Sequence, residues 1–231
     1  DATPQRIGNA GTDDVLVREH RHGDGMRRVH WKMSAKRGEL MVRLEEQPWD
    51  PAMTIIVDTR VAAHIGSGPE STLEWVLSLG ASLATELLRD RLRVSLLGAD
   101  GVIFRPINGE STGAAARLLA TVTDVEPSGR AFLEDCLADP DALGTARTVV
   151  AGLGLLHSRD AAALVAATAR VADIDALVPD ARAFRLPADV VVAHEKACQL
   201  LTTSGWNVAT FGPEATVPQG WGRLVAQREA R

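Results

Sequence analysis

Along the chain, apolar and polar positions change period several times, and each change marks an element. VLVREH (15–20) and ELMVRL (39–44) alternate apolar and polar side chains, as half-buried strands do. Between them GDGMRRVHWKMSAKRG is too short and too charged for a core helix, and QPWDPAM then breaks the chain with two prolines. MTIIVD (53–58) is a short, β-branched run of the kind buried on both faces of a sheet. Leu73, Val76, Leu77, Leu83, Ala84, Leu87 and Leu88 recur at helical spacing, and Ser71 with Glu74 forms a capping box at the start.

LRVSLLG and GVIFRP flank Ala99-Asp100 and predict a hairpin. Ser111 or Thr112 is then expected to cap a helix running through Val122. ARTVVAGLGLL (146–156) reads as another buried strand, and Ser158 as the cap of the Ala-rich helix after it. ARAFRL (181–186) reads as a strand, and Asp189 as the cap of a helix that stops at Gly205. WNVATF (206–211) predicts one more strand, and WGRLVAQREA a closing helix. Strands alternating with helices imply an α/β fold: a mostly parallel central sheet, helices on both faces and one antiparallel hairpin strand. The proline break places the domain boundary between a β-rich N-terminal segment, 1–47, and an α/β domain, 48–231.

Composition adds an asymmetry. The chain has 231 residues, is 45% hydrophobic and carries a net charge of −5. That excludes disorder and makes nucleic acid an unexpected partner. Yet from Val15 to Leu44 eight basic residues face three acidic ones, about +5. Such a local field suits an anionic partner, an acidic protein face or lipid headgroups, or else an internal network of ion pairs. Cys136 and Cys198 lack C-x-x-C spacing, and a buried reduced thiol fits Cys198. No apolar run reaches the roughly 18 residues of a membrane helix and no signal peptide is read, so a cytosolic piece of a longer protein is expected.

The unusual residues of the N-terminal segment stand in a fixed order: Arg18, Gly23-Asp24, Arg27 and Arg28, His30-Trp31, Ser34-Ala35, Arg37 and Leu40, followed closely by MTIIVD. This order resembles the signature of a bacterial family, the domain of unknown function number fifty-eight. The resemblance implies a von Willebrand factor A-like domain in the C-terminal part and a pair of membrane helices upstream, placing the chain at the cytoplasmic face of the membrane. It also implies a MoxR-type AAA+ ATPase as partner, in the assembly or maturation of client proteins.

The same resemblance poses a metal question. In von Willebrand A domains the first strand ends in D-x-S-x-S, whose oxygens suit magnesium. Here Asp58 matches, but Arg60 and Ala62 stand where the two serines are expected, and VVAGLGLL offers no Asp as a further ligand. A fixed cation at about 4 Å from a dication costs about 1 kcal/mol in water and several in a partly buried site. No metal and no cofactor are expected, and Arg60 is free to pair with Asp58.

His20, His22 and His30 lie close in sequence, but without H-E-x-x-H or Cys ligands, and among arginines, they make a poor zinc site. Arg18, Asp24, Arg27, Arg28, His30, Trp31 and Arg37 are the candidate binding residues: Asp24 in a Gly-Asp-Gly turn can clamp an arginine, and Trp31 can anchor a seam or an interface. The same residues can equally latch the N-terminal strands in place. Neither a phosphate loop nor a GxSxG elbow is present, so a non-catalytic binding or scaffold module is the leading expectation. A hydrolase using Asp24 and His30 as acid and base is the alternative.

Overall fold

Strands in this chain alternate their side chains between two helical layers, and that alternation organises the computed structural model, which describes residues 17–19, 29, 31–43, 53–107, 113–138, 143 and 146–230. The chain divides into two compact units, Asp1–Asp50 and Pro51–Arg231. In the first, β1 (Val17–Glu19) pairs antiparallel with β2 (Met41–Arg43), Arg18 opposite Val42. Helix α1 (Trp31–Arg37) precedes β2 and buries none of its residues, in keeping with its charge. Gly38 ends it at φ 74°, a conformation that favours glycine. The Ser34 hydroxyl accepts from the Met41 N–H at 2.8 Å and so ties helix to strand.

The second unit is built on β3 (Met53–Val57). Ile55 and Val57 enter one core cluster and Ile56 the opposite one, as period-2 geometry requires. Helix α2 (Thr72–Arg89) follows, with the Ser71 side chain accepting from the Glu74 N–H at its start. β4 (Val94–Gly98) and β5 (Gly101–Phe104) form the hairpin. After α3 (Ala114–Thr123) and the single turn α4 (Glu134–Leu137), the chain enters β6 (Thr148–Gly152), α5 (Ser158–Ala167), β7 (Asp173–Pro179), α6 (Ala188–Thr203), β8 (Asn207–Phe211) and α7 (Val217–Glu229). The six-stranded sheet runs β5-β4-β3-β6-β7-β8, all parallel except β4–β5. The expected α/β architecture is therefore present.

The sheet grows outward from β3 in one direction and from β6 in the other. Crossovers of one hand then place α2 on one face and α5 and α6 on the other, and the terminal helix α7 folds back onto the α2 face. Accordingly Val76 and Leu79 of α2 share a core with Leu118 of α3 and Leu224 of α7, while Cys136 of α4, Leu164 of α5 and Leu201 of α6 share the other. Each fully buried leucine stabilises by about 1.5–3 kcal/mol. The backbones part at the carboxyl ends of β3 and β6, where sheets of this topology form a crevice.

Four local expectations change. ARAFRL is a turn, and the strand lies just before it, Asp173–Pro179. Two aspartates disguised that strand, but Asp175 is buried and accepts from Asn207 Nδ2 at 2.8 Å, so its charge has a partner in the fold. Ser158 and Asp189 fall inside the first turns of α5 and α6, whose caps are His157 and Pro187. Helix α3 starts after Gly113 at φ 96°, while Ser111 and Thr112 lie outside the described residues. Gly205 does occupy the left-handed position after α6, at φ 96°.

Trp75 of α2 stacks on Phe211 of β8 with ring centroids 3.8 Å apart, and its Nε1 donates to the Ala215 carbonyl at 2.7 Å. A side chain at Gly220 of α7 would come within 2.7 Å of the indole, so α7 packs on this ring only through glycine. Trp75→Ala is expected to lower stability by about 3 kcal/mol in urea denaturation. A loss under about 0.5 kcal/mol would show that the ring does not hold α7 to the sheet.

Candidate functional site: a buried guanidinium at the sheet's reversal point

The loop leaving β3 carries Asp58, Thr59 and Arg60, and all three are buried, Arg60 to 1% exposure. An arginine so deeply buried must have every N–H satisfied and its charge matched. Arg60 Nε donates to Asp58 Oδ1 at 2.9 Å and Nη2 to Oδ2 at 2.7 Å, a bidentate fork. Nη1 donates to Asp160 Oδ1 at 2.9 Å and to the Ala131 carbonyl at 3.0 Å. The last Nη2 proton faces the Leu155 carbonyl at a long 3.5 Å. Burial works against the guanidinium charge, but hydrogen bonding to Asp58 and the charges of Asp58 and Asp160 outweigh it, and the pKa of Arg60 is raised.

Backbone groups complete the carboxyl shells. Asp58 Oδ2 accepts from the Gly154 N–H at 3.2 Å, and Asp58 Oδ1 from the Arg60 N–H at 3.1 Å. Asp160, in the first turn of α5, accepts from the N–H groups of Leu133 at 3.0 Å and His157 at 2.9 Å. Three segments far apart in sequence thus close on one guanidinium. The same loop reaches further: Thr59 Oγ1 accepts from the Ala99 N–H at 3.0 Å, and Ser128 exchanges backbone bonds with Thr59 and Val61. A Cβ at Gly154 would lie 2.4 Å from the Ala63 carbonyl oxygen, so glycine is required for this approach.

Two imidazoles buttress the loops. His64 Nε2 lies 2.6 Å from the Asp58 carbonyl, which only accepts, so this nitrogen carries the proton. Nδ1 faces the Thr72 hydroxyl at 3.0 Å. His194 of α6 accepts from the Leu156 N–H at Nδ1, 3.0 Å, and donates from Nε2 to the Pro179 carbonyl, 3.0 Å. Burial lowers both pKa values below the usual 6.5. Burial likewise pushes the free thiols up, Cys136 to about 11 and Cys198 to about 12, far from a reactive thiolate.

Beside the guanidinium opens a cleft of about 290 Å³, walled by Ala62, Ala131, Leu155, Val190 and Ala193, with His157 and Asp189 also lining it. Its lining is mostly small and apolar, and Arg60 has no N–H left to offer it. Among the described residues no three of His, Cys, Asp and Glu converge as a ligand set. A dication at Asp58 would have to displace the guanidinium from both carboxylate oxygens, so these side chains do not fit a metal.

Of the sequence candidates, Asp58 and Arg60 meet here, and Ala62 stands exposed in the following 3-10 turn. Trp31 and Arg37 open and close α1 in the first unit, both exposed, and Arg18 lies on β1. Asp24, Arg27, Arg28 and His30, and with them the acid–base alternative, lie outside the described residues, as do His20 and His22. Sequence reading missed Asp160, Ala131 and His64. The one signal for Asp160 was an acid three residues into a helix start, which by itself says only that a helix begins there.

Arg60→Met leaves two buried carboxyl groups without their cation and is expected to cost about 3–5 kcal/mol in chemical denaturation. Arg60→Lys should recover little, since an ammonium lacks the planar fork. A loss below 1 kcal/mol for Arg60→Met would show that the cluster is dispensable. With both imidazoles below 6.5 in the folded state, their contribution is complete above that pH and is lost as pH falls through the folded values. His194→Gln, which keeps a donor and an acceptor, should shrink this acid limb in melting temperature measured against pH. An unchanged limb would exclude His194 as a source.

The family model described as Protein of unknown function DUF58 matches residues 16–201. No curated protein matches the chain significantly. Among the described residues no helix is long and apolar enough to cross a membrane. The match takes in the signature segment, the whole Asp58–Arg60–Asp160 cluster and most of the sheet, and the chain belongs to the DUF58 family.

Proposed function

We propose that this chain is a non-catalytic binding module, a von Willebrand factor A-like domain in which an arginine has taken the place of the metal. The observation that carries this reading is the bidentate Arg60–Asp58 pair at the carboxyl end of β3. Strand order supports the analogy: the sheet reverses between β3 and β6, and its one antiparallel strand, β5, lies at an edge. The internal cation is already saturated and has no charge to offer a partner, so recognition here rests on burial of apolar surface.

The cleft beside Arg60 is the place for that burial. It sits on the crevice where open α/β sheets bind their ligands, and its walls are fixed by the same hydrogen bonds that hold the guanidinium. A short aliphatic side chain from a protein partner fits its size and polarity. The family signature implies a MoxR-type AAA+ ATPase, or the client it acts on, as that partner, and membrane attachment through helices upstream.

The reading is tested with a purified MoxR-type ATPase from the same genome. Ala193→Arg narrows the cleft from a half-buried position on α6 and is expected to weaken binding at least tenfold, with circular dichroism and melting temperature checking that the variant stays folded. Equal affinity in the variant would remove the cleft as the docking site, and no binding by the parent chain would remove the ATPase. Calorimetry with magnesium, calcium and manganese should be flat, and a stoichiometric heat would overturn the internal-cation reading.

A further inference from the structure

We infer that the first unit carries a docking surface for anionic lipid headgroups, centred on Trp31 with Lys32, Lys36 and Arg37. This inference concerns a different surface from the cleft and stands without it.

Trp31 is 64% exposed and Leu40 43% exposed, an unusual state for large apolar side chains this close together in sequence. Helix α1 has no buried residue and no carboxylate. Its inward side is set by Ser34, which exchanges two hydrogen bonds with the Met41 backbone, and by Met33, which is half-buried. At 100° per residue the opposite side carries Trp31 and Ala35 as one stripe and Lys32 and Lys36 as the next, while Arg37, on the Met33 side, is exposed because it is the last residue of the helix. Lys32, Lys36 and Arg37 are exposed, and none of the ion pairs among the described residues involves them. Among the described residues these three cations therefore stand outside any internal ion-pair network.

The chemistry of the patch selects its partner. Two of the three cations are lysines, point charges on flexible stems without the planar fork that recognises a single carboxylate. They suit a diffuse negative surface. An indole beside them is the side chain that settles at a bilayer's headgroup level, ring in the apolar boundary and N–H in water. A seven-residue helix offers far less than the roughly 800 Å² per partner of a stable protein interface, but enough to seat one tryptophan among headgroups. The whole segment, Val15 to Leu44, with these three cations included, carries a net charge of about +5, within the range of lipid-binding basic clusters.

The full chain is tested by co-sedimentation with vesicles of phosphatidylcholine alone and of phosphatidylcholine with about 30% phosphatidylglycerol. Binding is expected to the second kind only, and to fade as salt rises. Each basic residue neutralised should weaken partitioning about fivefold, so the combined Lys32→Gln, Lys36→Gln, Arg37→Gln variant should lose about a hundredfold. Trp31→Gln keeps the charge and should lose binding as well. A control with the same charge change on the second unit, Arg89→Gln, Arg170→Gln, Lys196→Gln, should bind like the parent. All these side chains are exposed, so melting temperatures should not move. Equal binding to neutral vesicles, full binding by the Trp31 or triple variant, or binding to RNA or an acidic protein in place of vesicles would each overturn the inference.

Discussion

A positive charge removed from water must be neutralised and hydrogen-bonded in place, and Arg60 shows what that demands of a fold. Its guanidinium is buried between Asp58 and Asp160, with backbone carbonyls from the loops after α3 and β6. The second partner comes from α5, a hundred residues along the chain. The arrangement exists only when β3, β6 and α5 have docked, so the charge acts as a check on the tertiary structure. Removing one member leaves the others buried and unpaired, which is why such clusters are stringent even where their net stabilisation is small.

That constraint lies at the one place in the sheet where strand order reverses and loops from both halves meet. Proteins of this architecture usually exploit the crevice there for a ligand. Here the polar chemistry of the crevice is turned inward. Carboxyl oxygens, guanidinium protons and the two histidine rings all find partners within the protein, and small apolar side chains line the cleft beside them. A surface of that kind holds a partner by exclusion of water and by shape. Burial also pushes both free thiols, Cys136 and Cys198, well above neutral pH.

The two units divide the surface chemistry between them. In the larger one the charged groups at the sheet's end are satisfied internally, whereas in the smaller one Lys32, Lys36 and Arg37 face solvent beside an exposed tryptophan. A protein that contacts a membrane surface and a protein partner at once would need two such different faces. One supplies long-range, salt-sensitive attraction, the other short-range packing.

The sequence by itself determined the α/β class, the hairpin, the capped helix α2 and the turn at Gly205, because each rests on local periodicity or on a conformation that only a few residues adopt. It also placed Asp58 and Arg60 at the end of the first core strand, two residues apart and able to pair. The tertiary structure alone decided the rest. β7 escaped detection because Asp175 looks like a surface residue until Asn207 and Arg228 approach it from β8 and α7. Asp160 looked like an ordinary helix-start acid, and Gly154 like any loop glycine. Their roles depend on distances between segments remote in sequence, and no local pattern encodes a contact that forms only when two layers close on a sheet.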